Sequence, residues 1–136
     1  MIKPIIHDPL FLAQQSVPAT ESDKLIITDL LDTLRANLDR CVGMAANMIG
    51  EKKRIIVFCN GPIQMVMVNP EMTARSGEYE VEEGCLSLAG TRKTKRYQRI
   101  TVKYQDQTFH WRTGSFSGFT AQIIQHEIDH CNGILI

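Results

Sequence analysis

His126-Glu127-Ile128-Asp129-His130 lies inside an apolar segment with helical spacing, and that pairing constrains this chain more than any other feature. Residues four apart on a helix lie one above the other. Two imidazoles so placed can reach one ion, and the Glu beside the first lies near water on that ion. Phe119, Ala121, Ile123 and Ile124 precede the motif, so the helix is expected to be central. It is predicted to run from about Ser117, as N-cap, to Cys131, with Gly133 as its stop. By itself the five-residue pattern also fits a solvated helix end, so the metal reading needs a third ligand elsewhere.

The rest of the chain is predicted to wrap that helix with strands. The 136 residues fit one domain, 1–136, without repeats or linkers. Residues 1–19 read as an irregular lead-in broken by Pro4, Pro9 and Pro18. Thr20-Glu21-Ser22-Asp23 reads as a capping signal for a helix to about Arg40, with Ile27, Leu30, Leu31, Leu34 and Leu38 on its apolar face. Beyond Gly50, Arg54 to Cys59 and Gln64 to Asn69 read as short strands. Glu78 to Glu82 alternates, with one wet and one buried face, and Arg99 to Tyr104 and Thr108 to Arg112 read as a further pair of strands. The order helix, strands, helix is α+β.

Lys plus Arg is 15 and Asp plus Glu is 15, so net charge gives no support to bulk nucleic-acid binding, and no DNA partner is expected. Apolar runs such as Ile55 to Cys59 fall far short of the roughly 20 residues of a membrane span. With no export signal at Met1-Ile2-Lys3-Pro4, the expected location is the cytoplasm, and Cys41, Cys59, Cys85 and Cys131 read as reduced thiols or ligands.

Cys85, in Glu83-Gly84-Cys85-Leu86-Ser87, is the candidate third ligand. A thiolate suits zinc or iron, and two His with one Cys leave a position open for water. Any single cysteine also fits a small buried hydrophobe, which is the reading for Cys41, Cys59 and Cys131. Gly43-Met44-Ala45-Ala46-Asn47 suits close approach of backbone or substrate, or else a tight turn after the first helix.

Together these segments resemble the peptide deformylases, whose motifs G-x-G-L-A-A-x-Q, E-G-C-L-S and Q-H-E-x-D-H-L occur in that order. Here they read Cys41-Val42-Gly43-Met44-Ala45-Ala46-Asn47-Met48, Glu83-Gly84-Cys85-Leu86-Ser87, and Gln125-His126-Glu127-Ile128-Asp129-His130-Cys131. The resemblance implies an α+β domain with the motif helix packed among antiparallel strands. It implies a hydrolase that removes the N-formyl group from the N-terminal methionine of newly made proteins. Cys85, His126 and His130 would bind one divalent ion, ferrous iron natively, with zinc, nickel or cobalt as substitutes. Glu127 would be the general acid and base, and the Leu86 N–H an oxyanion donor. The implied partners are N-formylmethionyl peptides or nascent chains, and with them the ribosome.

The chain departs from the family pattern at Met48, where the motif has a Gln whose amide serves the oxyanion. A thioether has no N–H to give, and losing one such donor costs roughly 10²–10³ in turnover. Impaired activity is therefore expected, or, as the alternative, a non-catalytic or differently specific binder of peptide N-termini. Asn47 is expected to point elsewhere. Val42, Val81, Phe119 and Ile123 are expected to line an apolar pocket, and Gly43 and Gly84 to offer backbone bonds to the peptide. Arg92 is expected to face the peptide's downstream end, while Lys93, Lys95 and Arg96 read as a solvated basic loop. A metallopeptidase is disfavoured because the third ligand is a thiolate. A structural zinc site lacks a fourth ligand at any suggestive spacing.

Overall fold

The computed structural model describes residues 1–136. Asp8 caps a four-residue helix α1 (Pro9–Leu12) by accepting from Leu10 N, and Pro9 sits at the start where its missing N–H costs nothing. The lead-in is thus partly helical. A 3-10 turn at Glu21–Asp23 opens α2 (Lys24–Ala36), with Asp23 accepting from Thr20 N at 2.8 Å. Helix α2 stops four residues short of Arg40, because the Asn37 amide turns back to the Thr33 carbonyl at 2.7 Å and Leu38 remains exposed.

Five antiparallel strands follow: β1 (Gly43–Ala45), β2 (Ile55–Asn60), β3 (Ile63–Gly84), β4 (Thr91–Gln105) and β5 (Trp111–Ser117), ordered as in the sequence. The segments 64–69 and 78–82 are two parts of the one strand β3, which continues through register shifts near Glu71 and Ala74. The segment 108–112 is mostly turn, since Asp106 Oδ1 accepts from Thr108 N and His110 N and delays the strand to Trp111. Residues 92–96 are strand and not loop. Cross-strand pairs such as Glu80 with Lys95 and Glu82 with Lys93 fix their register against β3.

Helix α3 (Gly118–Cys131) packs on the inner face of the sheet. Ile123, Ile124, Ile128 and Cys131 join Ile56, Phe58, Met67, Ile100 and Val102 in one core cluster. A second cluster between α2 and the other face of β2 gathers Leu30, Leu34, Met44, Met48, Ile55 and Val57. Strand β1 lies against α3 so closely that a Cβ on Gly43 would meet Ile123 Cγ2 at 2.7 Å and Glu127 Oε2 at 2.9 Å. Only glycine allows that approach. No helix is long and apolar enough to cross a membrane.

Candidate metal centre

His126 and His130 stand one turn apart on α3, with their Nε2 atoms 3.2 Å from each other. Cys85 follows the end of β3 and brings its Sγ to 3.3 Å from His130 Nε2. A tetrahedral ion with metal–nitrogen bonds near 2.0 Å and metal–sulfur bonds near 2.3 Å spaces its ligands by about 3.3–3.6 Å. The three donor atoms all lie within 4.8 Å of one another, so they fit such an ion. Both His residues are buried and Cys85 is half-buried.

His126 Nδ1 lies 2.9 Å from Glu83 Oε1. A carboxylate only accepts, so Nδ1 carries the hydrogen and Nε2 presents its lone pair to the cluster. Burial opposes charge on His126, but Cys85 and Glu83 outweigh it and raise its pKa. Burial and the neighbouring His126 charge push His130 down.

Glu83 is buried among donors. It accepts from Arg96 Nη2 at 2.7 Å, Arg96 Nε at 3.0 Å and Gln122 Nε2 at 3.0 Å. Arg96 Nη1 reaches Asp129 Oδ2 at 2.7 Å. Arg96 is thus 4% exposed and ties β3, β4 and α3 together, which corrects its reading as a solvated loop residue. Lys93 and Lys95 are exposed on the opposite face of the same strand.

Glu127 lines a cavity of about 290 Å³ beside the three donors. It is 4% exposed, its Oε1 has no hydrogen-bond partner, and burial raises its pKa to about 7. Val42, Gly43, Met48, Gly84, Cys85, Leu86, Phe119, Ile123 and His126 share that cavity. The cavity opens between two strand edges, Val42-Gly43 before and within β1 and Glu82-Glu83-Gly84 at the end of β3. The Leu86 N–H makes no hydrogen bond within the chain.

The family model described as polypeptide deformylase matches residues 2–136. A peptide deformylase of Clostridium beijerinckii is 58% identical over 136 residues, covering 100% of both chains.

The chain belongs to the polypeptide deformylase family.

A solved peptide deformylase from Thermotoga maritima superposes with a TM-score of 0.89 at 31% identity, covering 99% of this chain and 95% of that one. The Met-Ala-Ser-bound class I type b enzyme from Acinetobacter baumannii gives 0.87 at 31% identity, covering 99% of this chain and 97% of that one. The antiparallel sheet and motif helix are thus those of a deformylase.

Within this deformylase fold the departures from the family motifs have definite surroundings. Met48 is 1% exposed, and its sulfur accepts from Ala45 N at 3.4 Å, so it lines the cavity without a donor. Asn47 Nδ2 donates to the His130 carbonyl at 3.0 Å and braces the end of α3. Val81 is half-buried and Arg92 Nη1 donates to Ala89 O at 3.4 Å; neither lines the cavity. Cys41 does line it, half-buried, with its thiol on the Gly43 carbonyl and burial pushing its pKa up to about 12. Sequence reasoning gave no site role to Glu83, Arg96, Gln122 or Arg40. Glu83 had a signal, since it shares strand parity with Tyr79 and Val81, the buried side of the alternation.

Proposed function

We propose that this chain removes the formyl group from the N-terminal methionine of newly made peptides in the cavity between β1, β3 and α3. The observation that carries this reading is the convergence of Cys85, His126 and His130 on one point, with Glu127 buried and unpartnered beside it. An ion held there, ferrous iron by preference and zinc, nickel or cobalt in its place, supplies a Lewis acid and water of near-neutral pKa.

The chain's own groups do the rest. Glu127, with its pKa raised to about 7, accepts a proton at its free Oε1 and returns it to the leaving amine. The Leu86 N–H is a free donor for the developing oxyanion. Extended peptide backbone can add to the open edges at Val42-Gly43 and Gly84, as strand addition does elsewhere. Phe119 and Ile123 supply apolar wall for the methionine side chain. The peptides proposed are those of nascent chains, with the cytoplasm as the proposed location and the ribosome as the proposed neighbour.

A non-catalytic binder is not favoured, because the chain keeps all three donors and Glu127 and aligns end to end with a deformylase. The test is formate release from formyl-Met-Ala by anaerobically prepared, iron- or nickel-loaded protein, beside Glu127→Ala. Release abolished by that substitution is the expected result. No release from the loaded wild type overturns the reading.

A further inference from the structure

Beyond the Gly84-Cys85-Leu86 segment lies a second cavity of about 620 Å³, lined by His7, Arg40, Ser87, Leu88 and Ala89 on its outer side. Arg40, Gly84, Cys85 and Leu86 line both this cavity and the catalytic one, so the two adjoin. Acidic side chains line only the first, where Glu82, Glu83 and Glu127 sit. In the second, Arg40 and His7 are the titratable side chains apart from Cys85.

The arginine is held for use. Its Nε and Nη2 both donate to Asn37 Oδ1, at 3.2 and 2.9 Å, and Asn37 is itself buried and bonded to the Thr33 carbonyl. Arg40 Nη1 has no partner within the chain. A guanidinium so anchored presents a fixed face instead of sampling rotamers, which lowers the entropy cost of gripping an anion. His7 closes the wall, donating Nδ1–H to the Ser87 carbonyl at 2.9 Å. A carboxylate satisfies the free Arg40 guanidinium nitrogen.

We propose that Arg40 forms a carboxylate subsite beside the catalytic pocket, so that the enzyme prefers peptides with an acidic residue downstream of the formyl-methionine. This rests on the deformylase reading for its substrate, though not for the existence of the subsite. The released formate carries the same chemistry, and the test separates the two sources.

Formate release is compared for formyl-Met-Ala-Glu, formyl-Met-Ala-Gln and formyl-Met-Ala-Lys amides at low salt, on wild type, Arg40→Gln and Arg40→Lys. The expected kcat/KM ratio of the Glu to the Lys peptide is about three- to tenfold, as befits an exposed ion pair exchanged for a repulsion. It resides in KM, falls towards unity in Arg40→Gln, survives in part in Arg40→Lys, and shrinks with added salt. Calorimetric affinities for the product amides Met-Ala-Glu and Met-Ala-Lys read the same preference without turnover. Silence of every formyl peptide therefore overturns the deformylase reading, while the affinity ratio still decides the role of Arg40. In a third arm, sodium formate inhibits wild type on the neutral peptide. Loss of that inhibition in Arg40→Gln, with the peptide ratio unmoved, assigns the subsite to formate. Ratios and formate inhibition both unchanged by Arg40→Gln overturn the proposal.

Discussion

Glu127 shows how a side chain with a proposed function also carries a cost. A carboxyl with its pKa raised from 4.5 to about 7 binds a proton on folding. Its contribution to stability is present below about pH 4.5 and is lost as pH rises through about 7. Glu127→Gln, neutral at every pH, is expected to stabilise the protein in chelator by of order 1–3 kcal/mol at pH 8, with no gain near pH 4. Urea denaturation at the two pH values checks this; an equal effect at both would show that Glu127 is not strained by burial. Met48 is the opposite case, a residue at ease where the proposed chemistry wants a donor. Its sulfur already accepts from Ala45 N, and an amide of similar length can keep that bond while offering N–H to the cavity. Met48→Gln is expected to raise kcat on formyl-Met-Ala by up to about 10². No gain would mean that another group already serves the oxyanion.

The β3–β4 hairpin is the element on which the candidate metal centre leans. Its outward pairs, Glu80 with Lys95 and Glu82 with Lys93, are exposed and worth little individually, but they forbid a register slip. Its inward charges are of another kind. Glu83 is opposed by burial, yet His126 and Arg96 outweigh that and hold its pKa down to about 2. Its contribution is therefore present above about pH 4.5 and lost as pH falls towards 2. Arg96→Met leaves Glu83 and Asp129 without their shared guanidinium. The expected loss is about 3–5 kcal/mol, read as a lower urea midpoint at unchanged slope. A loss below about 1 kcal/mol would sink the view that Arg96 is the tie between hairpin and helix. Sequence alternation was enough to identify strands here, yet the basic run at 92–96 looked like surface because charge is ordinarily solvated. Only the partner carboxylates, 13 and 33 residues away, make its burial tolerable.

At the scale of the whole molecule, the three donors come from two elements, α3 and the end of β3, so an ion bound there cross-links the folded chain and not the unfolded one. Stability should rise with free metal as mass action requires, by about 4 kcal/mol at a thousandfold excess over Kd, or roughly 10–15 °C in Tm. Thermal scans with and without chelator measure this, with Cys85→Ser as a variant in which the shift shrinks. A Tm indifferent to chelator in wild type would contradict the assignment of the site.

The local patterns of this sequence determined which helix carries the two imidazoles, where it starts, and which cysteine stands next to a motif. Those are matters of spacing over a few residues, and spacing survives without coordinates. The family likeness of the three motifs was legible for the same reason. Tertiary structure alone decided that 64–69 and 78–82 are one strand, that Arg96 is buried, and that Arg40 instead of Arg92 flanks the cavity. Each of those depends on partners far away along the chain, whose charges and hydrogen bonds set the free energy of burial and leave no mark on the neighbouring sequence.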